Sequence, residues 1–327
     1  MPRGRPSLGP VARADATLPD VALSRPVLDR RAERRTEPDL FPRLLGDPST
    51  RVVRLVDDRA EVEDTGTTAR LVTSPPRPGD ADRLLLYLGE RDGAAHVATV
   101  ADTPPEDDGN PFEADPEQPW LTLRQCGARL DDVSAALFAT SLALANWHRT
   151  HGHCPRCGAV TVPQLAGWTR RCPEDGSEHY PRTDVAVIVA VVDADDRILL
   201  ARGRGFRSAG MSVLAGFVEP GETLAAAVAR EVGEEVGVRV TQVTYLGDQP
   251  WPFPSSLMVG FRARALDTDL RLQDDEIAAA RWFTREELLA ALADGSLVVP
   301  GRVSIARRLL EHWFGGPIEA EDVAGLR

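Results

Sequence analysis

At 327 residues the chain is long enough for two domains with their own cores. Hydrophobic residues make up 43% of it and charged residues 27%, an ordinary globular balance, and no apolar run reaches the roughly 18 residues of a membrane helix. A net charge of −12 argues against broad electrostatic capture of nucleic acid, but it leaves room for a small anionic substrate, because bound divalent cations reverse the local sign of a site.

The opening MPRGRPSLGPVARADATLPD has no apolar core segment and reads as a disordered tail over residues 1–20 rather than a secretory signal, so a cytoplasmic location is expected. Residues 21–150 read as a β-rich domain closed by a helix. The runs RVVRLV, ARLVT, DRLLLYLG and AHVATV alternate with turn signals. SPPRPGD (74–80) and the acidic 101–119 are loops. Asp131 or Asp132 caps a core helix through VSAALFATSLALANWHR. Cys126 reads as a small buried hydrophobe, and His148, His151 and His153 as polar residues near the helix end.

Residues 151–182 carry Cys154 and Cys157 as C-x2-C, then Cys172. Clustered cysteines at this spacing favour a structural zinc site over a disulfide framework. A closed site wants four ligands. His179 is the first candidate for the fourth, because imidazole suits zinc; Asp175, at the C-x2 position, is its rival, and a lost site is the third option. Residues 183–315 begin with a hairpin, DVAVIVAVVDADDRILLARG, followed by the basic, Gly-rich ARGRGFRSAGM. A helix is expected over 223–236, then strands around Val240–Leu246 and Leu257–Ala265. A capped helix in TREELLAALADG and an amphipathic helix ending at Gly315 follow, leaving 316–327 as a tail. This order suggests a mixed α/β sandwich. No internal repeat is visible.

The helix within GFVEPGETLAAAVAREVGEEVGV is the informative one. Thr223 can cap it, Leu224, Val228, Val232 and Val236 form its buried stripe, and Gly237 ends it. Glu231, Glu234 and Glu235 share one face, where like charges destabilise an isolated helix. Gly233 costs about another 1 kcal/mol relative to alanine. A helix with these penalties wants a compensating partner, and Mg²⁺ or Mn²⁺, which prefer carboxylate oxygens, is the obvious one. Arg230 can hold one carboxylate in orientation. A bare E-x-x-E-E is more often a solvated acidic face. Here the full pattern G-x5-E-x7-R-E-V-G-E-E-V-G-V resembles the Nudix box at every specified position. The resemblance implies a Nudix α/β/α sandwich with a mixed sheet that hydrolyses a nucleoside diphosphate linked to another moiety. It makes Glu231, Glu234 and Glu235 ligands of the catalytic Mg²⁺ or Mn²⁺, with the carbonyl of Ala215 as a further ligand and Glu222 as a supporting carboxylate. Glu235 becomes the base or the holder of the attacking water. Glu276 completes the metal cluster, where the plainer reading is an exposed acid.

GDQPWPFPSSLM crowds Pro250, Trp251, Pro252, Phe253 and Pro254 together, too rigid for a linker and too proline-rich for a central strand. It resembles the S-Q-P-W-P-F-P-x-S signature of the NADH pyrophosphatase branch, matching Gln249 to Pro254 and Ser256, with Asp248 where that branch has serine. Prolines reduce the entropy cost of ordering a recognition loop, the ring of Trp251 offers a flat face, and Gln249 and Ser256 offer hydrogen bonds. The alternative is a structural turn whose aromatics fill the core. By the same resemblance Phe217 stacks the other ring and Tyr180 faces the nucleotide, against a packed strand-end tyrosine. That branch carries a small four-cysteine zinc ribbon after a variable N-terminal domain and is typically homodimeric. The expected activity is cleavage of NAD(H) into NMN(H) and AMP, with the NAD cap of RNA 5′ ends as a second substrate. The rivals are a Nudix hydrolase preferring ADP-ribose and a non-catalytic nucleotide-sensing module; the latter would be expected to have lost box glutamates that this chain keeps.

Overall fold

The computed structural model describes residues 17–24, 27–101, 120–205, 209–272 and 276–319. Most of the two expected tails, nearly all of the acidic 101–119 loop and the middle of the Gly-rich 201–211 loop lie outside the described residues. The chain divides into two compact units. The first holds Leu23–Thr183 together with Pro250–Ser256; the second holds Asp184–Gln249, the chain from Leu257 onward, and residues 17–22.

In the first unit a short helix α1 (Leu40–Leu45) precedes strands β1 (Arg51–Val56), β2 (Arg59–Asp64), β3 (Ala69–Leu71), β4 (Leu84–Arg91), β5 (Ala94–Ala101) and β6 (Trp120–Thr122). They form one sheet in the order β3-β2-β1-β5-β4, with β6 beside β2. β1 and β5 run parallel, from Arg51 opposite His96 to Val56 opposite Ala101, and the other pairs are antiparallel. The sheet is therefore mixed, and its inner strand β5, between β1 and β4, is buried from Ala95 to Val100. A single turn α2 (Leu123–Cys126) leads to α3 (Asp132–Thr150), capped by Asp131, whose carboxylate accepts the Ser134 N–H at 2.8 Å. Cys126 is fully buried, and burial pushes its thiol up to about 12, so it behaves as a hydrophobe. A small sheet of β7 (Val162–Gln164), β8 (Thr169–Arg171) and β9 (Glu178–His179) completes the unit.

The second unit is built on β10 (Asp184–Val192), β11 (Ile198–Gly203), β12 (Leu214–Phe217), β13 (Val240–Trp251), β14 (Ser256–Ala265) and β15 (Ile277–Phe283). The order is β13-β14-β10-β11-β15, with β12 also on β10. Its helices are α4 (Leu224–Val236), α5 (Arg285–Ala293) and α6 (Ile305–Phe314). Alternation along β10 explains its unbroken apolar sequence. Val187, Val189 and Val191 pack with Val228, Val232 and Val236 of α4, whereas Ile188, Ala190 and Val192 pack with Ile305, Leu309 and Leu310 of α6. A strand buried on both faces has no polar side to show, and each such side chain contributes about 1.5–3 kcal/mol. The result is an α/β/α sandwich. β13 runs on to Trp251, further than its sequence suggests; it lies at the sheet edge, where a proline is tolerated.

His148 is not the plain polar residue its position near the helix end suggests. It is buried in the first unit, with Nε2–H donating to the Gly167 carbonyl and Nδ1 accepting from the Arg170 guanidinium, both at 2.8 Å. That pairing needs a neutral ring, and burial, with the Arg170 charge adding to it, pushes the imidazole down to about 4. The unfolded chain, titrating near the ordinary value of about 6.5, therefore takes up the proton first. Stability from this group is present above pH 6.5 and is lost as pH falls to 4, by up to about 3 kcal/mol. Urea unfolding of the first unit at pH 7 and pH 4.5 should show this loss, and His148→Gln should flatten it; an unchanged slope in the variant would assign the loss elsewhere.

Candidate active site

α4 carries the glutamates, and its ends are as its sequence demands. The Thr223 hydroxyl accepts the Ala226 N–H at 3.3 Å, and Gly237 closes the helix with φ 74°. Val228, Val232 and Val236 are fully buried, but Leu224, expected on the same stripe, is 38% exposed. It is the first helical residue and lies outside both buried clusters of the sandwich.

Glu231 packs onto the backbone of β12. A Cβ at Gly216 would lie 1.9–2.2 Å from the atoms of the Glu231 carboxyl group, so only glycine admits the carboxylate there. Ala215, the preceding residue, lies opposite Ile188 in the β10–β12 register. Arg230 organises the rest. Its Nε and Nη2 grip Glu222 in a fork with both contacts at 2.9 Å, and Nη1 donates to Glu231 at 2.9 Å and Glu234 at 3.0 Å. Nη2 also donates to the Phe217 carbonyl at 2.9 Å. Arg230 thus holds three carboxylates rather than the single one foreseen, and it keeps Glu222 below the usual carboxylate range.

Glu235 is outside this network. It is 9% exposed, and its Oε2 has no hydrogen-bond partner among the described residues. Burial first, then the charges of Glu231 and Glu276, push it up to about 8. Glu231 is raised as well, by burial first, with Glu234 and Glu276 adding to it. Glu276 is therefore close enough to act on both. Converging carboxylates, one with an orphaned buried oxygen, are an all-oxygen donor set that fits a hard divalent cation.

The aromatic segment belongs to the first unit. Trp251 and Phe253 meet edge to face at 4.8 Å, and the Arg124 guanidinium lies 3.9 Å from the Phe253 ring centre and 5.1 Å from that of Trp251. Asn146 of α3 donates to the carbonyls of Pro252 at 3.0 Å and Pro254 at 3.2 Å. Trp251, Phe253 and Ser256 are each half-buried, so these aromatics are neither core filling nor loose. Neither Arg124 nor Asn146 carries a local sequence signal for this role.

Gln249 departs from its expected role as a substrate contact. It is fully buried in the second unit, where Nε2 donates to the carbonyls of Ala22 at 2.5 Å and Val303 at 2.8 Å, and Oε1 accepts the Ile305 N–H at 2.8 Å. Its amide is spent on backbone, so Gln249 is a fastener. Phe217 and Tyr180, by contrast, are 60% and 62% exposed, unusual for rings of that size, and Tyr180 is no packed strand-end residue. Its hydroxyl donates to Glu178 at 2.7 Å. Asp248 accepts a hydrogen bond from Tyr245, a half-exposed ring unremarked in the sequence.

In the cysteine segment the ligand atoms of Cys154, Cys157, Cys172 and Asp175 lie within 4.8 Å of one another. His179 is outside that group, its Nε2 3.1 Å from the Ser177 hydroxyl. Three thiols and a carboxylate fit zinc.

The family model described as NUDIX domain matches residues 182–299. Those described as NADH pyrophosphatase zinc ribbon domain and NADH pyrophosphatase-like rudimentary NUDIX domain match 149–180 and 46–147. Proteins named NAD-capped RNA hydrolase NudC, from Mycobacterium bovis (strain BCG / Pasteur 1173P2) and Mycobacterium tuberculosis (strain ATCC 25618 / H37Rv), are each 41% identical to this chain over 308 residues, 89% of it and 94% of theirs. NAD-capped RNA hydrolase NUDT12 of Homo sapiens is 41% identical over 198 residues, 57% of this chain and 43% of that protein.

Two outcomes follow from the geometry. Gly216→Ala should unseat Glu231 and weaken Mn²⁺ binding, read by calorimetry, by at least about tenfold, while the melting temperature moves little. Gln249→Ala should lower unfolding free energy by about 3 kcal/mol, because it strands buried backbone groups. Unchanged stability with weakened substrate binding would return Gln249 to the list of contacts.

Proposed function

This chain belongs to the NADH pyrophosphatase (NAD-capped RNA hydrolase) family of Nudix hydrolases, and from that premise we infer that it hydrolyses the pyrophosphate of NAD(H) to NMN(H) and AMP and removes NAD caps from RNA 5′ ends. The observation that carries this reading is the gathering of Glu222, Glu231 and Glu234 around Arg230, with Glu231 seated on Gly216 and Glu235 left beside them with a buried oxygen that has no partner among the described residues. A pyrophosphate is anionic, and so is the site. Mg²⁺ or Mn²⁺, held by Glu231, Glu234, Glu235 and Glu276 with the Ala215 carbonyl, would supply the charge reversal, the activation of water and the stabilisation of the leaving phosphate.

The remaining work falls to the chain's own groups. Glu235 holds the attacking water and takes its proton at the buried Oε2 that no donor among the described residues occupies. Arg230 keeps Glu222, Glu231 and Glu234 in fixed orientation, so little reorganisation accompanies reaction. Phe217, Tyr180 and Trp251 offer ring faces to the base and nicotinamide, and Ser256 offers a hydroxyl. The cysteine cluster holds a structural zinc. No described helix is long and apolar enough to cross a membrane, and we place the protein in the cytoplasm as a homodimer. We also propose a division into a β-rich domain ending at 150, a ribbon over 151–182 and a hydrolase domain over 183–315, with the start of the β-rich domain moved from 21 to Leu23 because residues 17–22 cluster with the second unit.

The test is product identity. NADH, NAD⁺, ADP-ribose and a 5′-NAD-capped RNA are each incubated with Mg²⁺ or Mn²⁺, and products are separated by chromatography and mass. AMP and NMNH should appear from NADH faster than AMP appears from ADP-ribose, and the capped RNA should release NMN. Glu235→Gln should lower kcat by about 10²–10⁴-fold. Preference for ADP-ribose would leave the metal helix standing and overturn the reading of Trp251 and Ser256. Absence of turnover on all four would sink the enzyme reading.

A further inference from the structure

The cysteine cluster is closed by two turns that are copies of one another. Cys154-Pro155-Arg156-Cys157-Gly158 and Cys172-Pro173-Glu174-Asp175-Gly176 share the frame Cys-Pro-x-x-Gly. Their backbones repeat as well. The Gly158 N–H donates to the Cys154 carbonyl at 2.9 Å, and the Gly176 N–H to the Cys172 carbonyl at 3.1 Å. The Cys154 N–H donates to the Ala159 carbonyl at 2.8 Å, and the Cys172 N–H to the Ser177 carbonyl at 2.9 Å. Both glycines are left-handed, with φ 78° and 71°. Asp175 therefore occupies in the second turn the place that Cys157 occupies in the first.

Asp175 is also aimed. The Ser177 N–H donates to its Oδ1 at 2.9 Å and the Ser177 hydroxyl at 2.5 Å, which leaves Oδ2 toward the cluster, 3.5 Å from Cys154 Sγ. Outer hydrogen bonds of this kind fix which atom ligates. His179 lies beyond the turn, on β9. With the Ser177 hydroxyl donating to Asp175, His179 Nε2 is left to donate to that hydroxyl at 3.1 Å and is not free to ligate, and neither ring nitrogen joins the group of ligand atoms around the cluster.

We propose that the ribbon binds one zinc ion through Cys154, Cys157, Cys172 and Asp175, with Ser177 as the positioning residue. The carboxylate matches the charge of the thiolate it replaces but is a harder ligand, so this ribbon gives up zinc to chelators more readily than a four-thiolate ribbon would. The assignment does not depend on what the hydrolase domain cleaves.

The full-length protein, purified without added metal, is assayed for zinc by mass spectrometry, exchanged with Co²⁺ and followed by absorption. The expected result is one zinc per chain and a tetrahedral Co²⁺ spectrum with thiolate charge-transfer. Asp175→Cys should raise that charge-transfer intensity by about one third, from three thiolates to four, and slow metal release to a colorimetric chelator by at least about tenfold. His179→Ala should leave stoichiometry and spectrum unchanged. Loss of metal in His179→Ala with retention in Asp175→Ala would overturn the assignment in favour of the histidine. Absence of bound zinc and of a cobalt spectrum in the wild type would overturn the site itself. Asp175→Cys is a gain of metal affinity, so the test survives if Asp175→Ala fails to fold.

Discussion

The active end of this molecule depends on one guanidinium. Packing Glu231, Glu234 and Glu235 on one helical face costs a few tenths of a kcal/mol for each like-charged pair on an exposed helix, and more where burial removes water. Arg230 faces that cost with a forked grip on Glu222 and single bonds to Glu231 and Glu234. The Glu222 contact is the strong one, because both side chains are largely buried; Glu234, 55% exposed, gains little through solvent screening. Hydrogen bonds to charged groups are worth about 1.5–3 kcal/mol when shielded, enough to offset the repulsion around Glu231. Nothing similar reaches Glu235 Oε2 among the described residues. The repulsion is thus offset at Glu231 and left standing at Glu235, where a hard divalent cation would suit what is left over.

The sandwich gives that arrangement its precision. α4 is fastened through Val228, Val232 and Val236 to one face of a sheet whose other face is sealed by α6. A helix so packed cannot rotate without exposing its stripe, so its polar face is held against β12, where the missing side chain of Gly216 makes the seat for Glu231. Gln249 works in the same direction from the far edge, tying β13 to Val303 and to Ile305 at the start of α6. Positioning here is a property of the core, and the carboxylates inherit it.

What the sequence displayed openly was whatever is written locally. The box is one continuous stretch, so its cap, stripe, terminator and acidic face were all legible, apart from Leu224, where helical periodicity cannot tell that the first turn lies outside the core. The aromatic segment was legible as a rigid element for the same reason. Gln249 was misjudged because its partners, Ala22, Val303 and Ile305, are distant in the chain, and an amide inside a signature looks the same whether it meets a ligand or a carbonyl. His148 hid in the same way behind Gly167 and Arg170. The match of 46–147 to a rudimentary Nudix domain was invisible beyond its strands, because that half has no box to announce it. The second Cys-Pro-x-x-Gly turn was legible in part: its spacing puts Asp175 at the C-x2 position, but imidazole is the commoner zinc ligand, which set His179 ahead of it.

The first unit, without a box of its own, still holds the proline-rich aromatic segment in place. Pro250–Ser256 clusters with it although the flanking strands β13 and β14 run mainly through the second unit. A loop pre-set by prolines has already lost most of its freedom, but three prolines cannot by themselves fix which way two aromatic rings face. Arg124, laid against Phe253 and Trp251, and Asn146, bonded to two of the loop's carbonyls, supply the missing constraint. Asn146 stands on α3, whose inner face is buried along Leu137, Phe138, Leu142 and Trp147, so the clamp is as rigid as that helix. An aromatic segment with its backbone fixed at Pro252 and Pro254 holds one shape, and the entropy of ordering it is met on folding.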